Sequence, residues 1–182
     1  DGAPLDSAGR AAVAYSLAVN TDQLAQLRDL ALVPPDLPVD DSLTLDLGGV
    51  TVRILHLGPA HTAGDLALHV PQAGVLAVGD LVEWGTPWLD GACIPGWARA
   101  LRRLQALDPD TILMAHGPLA GPETLDLYTR LLGALEAARD IEPFRPDLAR
   151  LGVAPEAFDR FAAAAAAARA APPPPGACPA PE

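Results

Sequence analysis

Three short motifs set a histidine or an aspartate directly behind an apolar run: Gly58-Pro-Ala-His-Thr-Ala-Gly-Asp65, Gly79-Asp80 and Ala115-His-Gly-Pro118. Imidazole and carboxylate are ligand types that suit Zn²⁺, and a catalytic zinc uses three protein groups and an open position. His61, Asp80 and His116 are therefore the candidate metal ligands. Taken singly, each motif is ordinary, since a Gly-Asp pair after a strand is usually a turn. Their conjunction, each at the end of an apolar run, carries the reading. The glycines at 58, 64, 79 and 117 would let the backbone turn sharply and approach an ion closely. His56 alternates in phase with Val50, Val52 and Ile54 and reads as a strand residue facing the core or packing under the site. His69 reads as a strand residue near a turn.

The elements that must hold these groups follow from the periodicity. Ser42–Leu47 alternates Leu with polar residues, as a half-buried strand does, and Gly48-Gly49 signals a tight hairpin into a strand over Val50–Leu57. Leu66–Val70 and Val75–Val78 flank the turn Pro71–Gly74 as a second hairpin. From Pro95 to Leu107, Trp97, Ala100, Leu101, Leu104 and Leu107 share one helical face, with Arg99, Arg102 and Arg103 largely elsewhere. Thr111–Ala115 is a short strand, and Glu123–Ala138 an amphipathic helix. A last helix is expected from Pro155 through the Ala tract to about Ala171. Before the strands, Leu24, Leu27, Leu30 and Ala31 predict a helix N-capped at Thr21 or Asp22 and stopped by Pro34-Pro35. The fold class is mixed α/β, and the strands are too few to complete a second sheet.

The stretch from about Asp40 to Leu135 resembles metallo-β-lactamase-fold hydrolases, especially quinoprotein relay-type zinc metallohydrolases. The residues that carry the resemblance are Asp41-Ser-Leu-Thr-Leu-Asp-Leu-Gly-Gly49, Leu57–Asp65, Val75-Leu-Ala-Val-Gly-Asp-Leu-Val82, Leu107-Asp-Pro-Asp110 and Met114-Ala-His-Gly-Pro118. The resemblance implies the C-terminal half of a four-layer αββα fold, with the N-terminal half absent. It also implies that His61 binds a first metal, that Asp80 binds a second and bridges both in many members, and that His116 completes the second site. Asp80 is thereby the candidate catalytic residue of a hydrolase that uses a metal-activated water on a small-molecule substrate, with two Zn²⁺ in the complete protein. The family also carries an earlier His-x-His-x-Asp-His motif. The four histidines here, His56, His61, His69 and His116, form no such run. The expectation is an incomplete metal site, with weak or absent zinc and no activity in this chain by itself. A non-catalytic remnant or interaction module and an iron-dependent persulfide dioxygenase-like enzyme are the alternatives, because ligand type does not choose the metal. Trp84 and Trp88 follow Asp80 and are candidates for a substrate wall over Glu83–Asp90, whereas Trp97 is expected to pack its helix on the sheet.

Composition sets the outer limits. The 182 residues are 50% apolar, enough for a real core, and the 12 basic residues, all Arg, stand against 23 Asp and Glu for a net charge of −11. That sign argues against nucleic acid and anionic membrane as partners. No apolar run is long enough to span a bilayer. The start has no signal-peptide pattern and the only Met is Met114, so Asp1 is expected to be a processed or truncated end. The two cysteines, Cys93 and Cys178, do not read as a disulfide framework or fix a compartment; a cytoplasmic chain is the default and a periplasmic one is compatible. The expected organisation is a partial domain over 1–150, an Ala-rich helix over 151–171 and a disordered Pro-rich tail over 172–182. Oligomeric state is open.

Overall fold

The computed structural model describes residues 4, 6–170 and 178. The chain divides into two compact units, Asp1–Pro38 and Val39–Glu182. Among the described residues, the first holds one helix, α1 (Ser7–Leu27). It starts fourteen or more residues before the predicted cap: Asp6 is the N-cap, its carboxylate accepting from the Gly9 N–H at 2.7 Å. Thr21 and Asp22 lie inside the helix, where Thr21 Oγ1 donates to the Leu17 carbonyl and Asp22 accepts from Gln26. Small helix formers upstream extend the helix past the point where the leucine pattern begins, so that pattern misplaces its start.

In the second unit five strands run in sheet order as they do in sequence: β1 (Ser42–Asp46), β2 (Thr51–His56), β3 (Leu66–Val70), β4 (Val75–Gly79) and β5 (Thr111–Met114). The first four are antiparallel neighbours. β5 lies parallel to β4 and is reached through α2 (Ile94–Gln105), because parallel strands need a crossover. Each strand lies within about a residue of its expected bounds. After β5 come α3 (Pro122–Glu136), α4 (Arg145–Arg150) and α5 (Pro155–Ala170). The short α4 is not visible in the sequence pattern, since six residues give no second turn of periodicity. The expected disorder over 172–182 lies outside the described residues, apart from Cys178.

Register explains which side of the sheet is buried. Arg53, His69, Leu76 and Ile112 pair across β2 to β5 and share one face. On that face Leu76 and Ile112 are fully buried beneath Trp97, Leu101 and Leu104 of α2 and Leu125, Tyr128, Leu131 and Leu132 of α3. Phe158, Phe161 and Ala165 bring α5 into the same core. Each such aliphatic side chain removed from water is worth about 1.5–3 kcal/mol. The opposite row, Leu43, Ile54, Leu68, Ala77 and Leu113, is apolar too, yet Leu68 is 39% and Leu113 46% exposed. Among the described residues of this unit the result is one sheet with α2, α3 and α5 packed on one face, a mixed α/β arrangement.

The cysteines correct the sequence reading. Cys93 and Cys178 form a disulfide across 85 residues. Two cysteines so far apart, one amid prolines, give no spacing signal.

Candidate metal centre

All three predicted ligands lie in loops at strand ends. The backbone between β2 and β3 is tied down locally: Asp65 accepts from the Thr62 N–H and hydroxyl, each at 2.7 Å, and the Ala60 N–H donates to the Thr62 carbonyl at 2.8 Å. This places the largely buried His61 ring edge-on to Trp97, with centroids 5.2 Å apart. Its Nδ1 lies 3.9 Å from the Asp65 carboxylate, beyond hydrogen-bond reach, and is buried without a hydrogen-bond partner.

Asp80 is aimed by an irregularity. Ala77 pairs with Leu113 but Gly79 with Met114, so β4 carries one residue more than β5 at its end. Gly79 takes a left-handed φ of 54°, which strains a residue with a Cβ, and turns the chain after the sheet. The buried Leu81 and Val82 then anchor the turn in the core. Met114 ends β5, and the Ile112–Ala120 bridge closes a short loop with His116 on it. Trp84 N–H donates to the His116 carbonyl at 2.9 Å, and Gly117 lies so close to Trp84 that a Cβ there would meet the Trp84 Cβ at 2.5 Å. Asp80 and His116 are thus brought together, Oδ1 to Nε2 at 3.5 Å, and Asp80 Oδ1 is buried with no hydrogen-bond partner.

His61 joins this corner through α2 and not by direct contact. Trp97, against which His61 rests, donates its indole N–H to the Leu81 carbonyl at 3.0 Å, one residue beyond Asp80. A further group belongs here that the motifs did not single out as chemical. Burial pushes the Glu83 carboxyl above its ordinary value; His61 draws it back, Asp80 adds to the rise, and His116 opposes it. Glu83 therefore lies within the field of all three predicted residues. Its sequence signal was its position three residues after Asp80, across the apolar Leu81-Val82 pair. Behind it, the buried Tyr128 hydroxyl donates to the Gly85 carbonyl at 2.8 Å and fixes the loop to α3; burial raises that phenol's pKa.

The two other histidines are structural. His56 bridges the Asp40 and Ala63 carbonyls through its two ring nitrogens, at 3.0 and 3.1 Å, and so braces the His61 loop from below. His69 is buried on the helix-covered face; desolvation first, then the nearby Arg53 charge, lowers its pKa. Trp97 packs as expected with no exposed surface, while Trp84 and Trp88 are 41% and 66% exposed.

The donors fit a divalent metal in kind, two of them with buried, unpartnered atoms that a cation would satisfy. Among the described residues, however, no three His, Cys, Asp or Glu side chains gather round one point. The corner supplies part of a ligand set.

The sequence profile of the metallo-beta-lactamase superfamily matches residues 5–116, from before α1 to His116. The chain belongs to this superfamily. The match begins well upstream of the motifs at Asp40. Among solved structures, the chain is similar to a metallo-beta-lactamase from Pontibacter korlensis (22% identity, TM-score 0.51, 65% of this chain and 62% of that one). It is similar also to the DIM-1 metallo-beta-lactamase (19% identity, TM-score 0.50, 63% and 56%). At such identities the likeness shows the fold. The chain spans 62% and 56% of the length of these two structures, and its single sheet corresponds to part of the αββα arrangement.

Proposed function

We propose that this chain is part of a metal-dependent hydrolase acting on a small molecule, and that His61, Asp80 and His116 are its share of a zinc site completed by ligands outside the chain. The observation that supports this most is the corner itself. Two sequence-distant ligand groups, Asp80 and His116, face each other at 3.5 Å, with Asp80 Oδ1 buried and without a hydrogen bond. Leaving a buried acceptor unsatisfied costs about 1–3 kcal/mol, so its persistence is explained most simply by an ion it would bind.

In that reading a bound divalent ion supplies a Lewis acid and an acidified water. The chain's own residues do the rest. Trp97 orients the His61 ring, the Leu81-Val82 anchor holds Asp80, and the Trp84–His116 backbone bond holds the third loop. Trp84, exposed and bonded to the His116 carbonyl, would be the wall that meets substrate, while Trp88 lines a groove with Ala157, Arg160 and Phe161 of α5. The closer kinship with the quinoprotein relay-type hydrolases rests on the motifs around His61, Asp80 and His116; metal analysis of the protein separates zinc from iron, since the ligand types suit both.

The experiment is a calorimetric Zn²⁺ titration of this chain, and of a longer chain extended by the residues its gene encodes upstream. Expected is weak binding that Asp80→Ala or His116→Ala abolishes, and binding tighter by orders of magnitude in the longer protein. Zinc affinity indifferent to both substitutions in both proteins would overturn the assignment. The remnant reading is favoured by the lack of a gathered three-ligand set among the described residues; equal, weak affinity in the two proteins would select it.

A further inference from the structure

The Cys93–Cys178 disulfide ends on a turn that touches both the His61 loop and the turn after Asp80. Cys93 is the N-cap of α2, is 3% exposed, and donates its N–H to the Ala60 carbonyl at 2.8 Å, next to His61. Three residues on, Gly96 presses so closely on the same loop that a Cβ would lie 2.0 Å from the Pro59 carbonyl oxygen. Trp97 then meets His61 edge-on and holds the Leu81 carbonyl. Within five residues, the first turn of α2 grips both the His61 loop and the turn after Asp80. The covalent bond to Cys178 attaches to the start of that grip.

We propose that this disulfide is a redox-operated tether that fixes the His61 loop when oxidised and loosens it when a dithiol reduces it. The two sulfurs are unequal. Cys178 is partly exposed, so a thiolate of the reductant attacks there and forms a mixed disulfide, while the electron pair of the broken S–S bond leaves on Cys93. Cys93 Sγ departs as a thiolate at the start of the twelve-residue α2. That thiolate takes up a proton. The reductant's second thiolate displaces Cys178 as a thiol and closes its own ring, so two protein thiols form as one dithiol is oxidised. The inference stands independently of the hydrolase reading.

The test uses the full chain purified without reductant. Thiol titration in denaturant should find no free thiol before dithiothreitol and two after. Backbone hydrogen exchange should then accelerate about tenfold or more at residues 58–65 and 93–97 on reduction, with β3 and β4 little changed, since opening is local. The melting temperature should fall by about 5–10 °C for a cross-link of this span. Cys178→Ser, which leaves the buried Cys93 position intact, should reproduce the reduced pattern without dithiothreitol. Two free thiols before reduction would overturn the proposal, as would exchange that is unchanged or accelerated uniformly across the sheet.

Discussion

The two faces of the sheet are made of the same kind of residue and have different fates. On one, Leu76 and Ile112 are buried under α2 and α3; on the other, Leu68 and Leu113, paired through Ala77, stand largely open. A sheet that is apolar on both faces is built to be covered twice. Within the described residues of its unit only one cover is present, in keeping with a chain that spans under two thirds of its structural relatives. Side-chain chemistry therefore sets which residues form strands, and the helices decide which of them contribute stability here.

The contrast can be broken most severely at Trp97. Trp97→Ala removes the largest buried side chain under the helical face together with its bond to Leu81, and should cost about 3–5 kcal/mol in urea unfolding. Gly96→Ala comes next, at about 1–3 kcal/mol, because backbone and not a movable side chain occupies the space a methyl would need. On the open face, Leu68→Thr and Leu113→Thr should each change stability by no more than about 0.5 kcal/mol. The pair together should lower binding of a hydrophobic dye and any self-association of the chain. Open-face substitutions as costly as Trp97→Ala would erase the distinction.

The smallest effect is a pH dependence confined to the covered face. Burial lowers the His69 pKa below about 6.5, its ordinary value, so as pH falls through that value the unfolded chain takes up a proton before the folded one does. Its contribution is complete above that pH and is lost progressively below it. Subtracting the stability curve of His69→Gln from that of the parent between pH 8 and 5 should isolate a fall toward acid; a flat difference would place His69 in water.

The strands were legible because alternating leucines and Gly-rich turns are local signals, and register then follows from the short hairpins at Gly48-Gly49 and Pro71–Gly74. The convergence of Asp80 and His116 was legible as well, each being the first polar ligand type after a strand. What the sequence could not disclose depends on distant chain segments. Glu83 becomes chemically interesting only when burial and the charges of His61, Asp80 and His116 act on it, and Trp97, read as packing alone, also supports His61 and the Asp80 turn. The pairing of Cys93 with Cys178 joins positions 85 residues apart, and the start of α1 is set by Asp6 upstream of the leucine pattern.

The extra residue in β4 has a consequence for how this corner can vary. Deleting Val78 would remove the residue by which β4 exceeds β5, so the turn at Gly79 would begin one residue earlier and Asp80 would lose its place opposite His116. A change of length at that spot is thus a change of aim for the acid, made without touching either ligand.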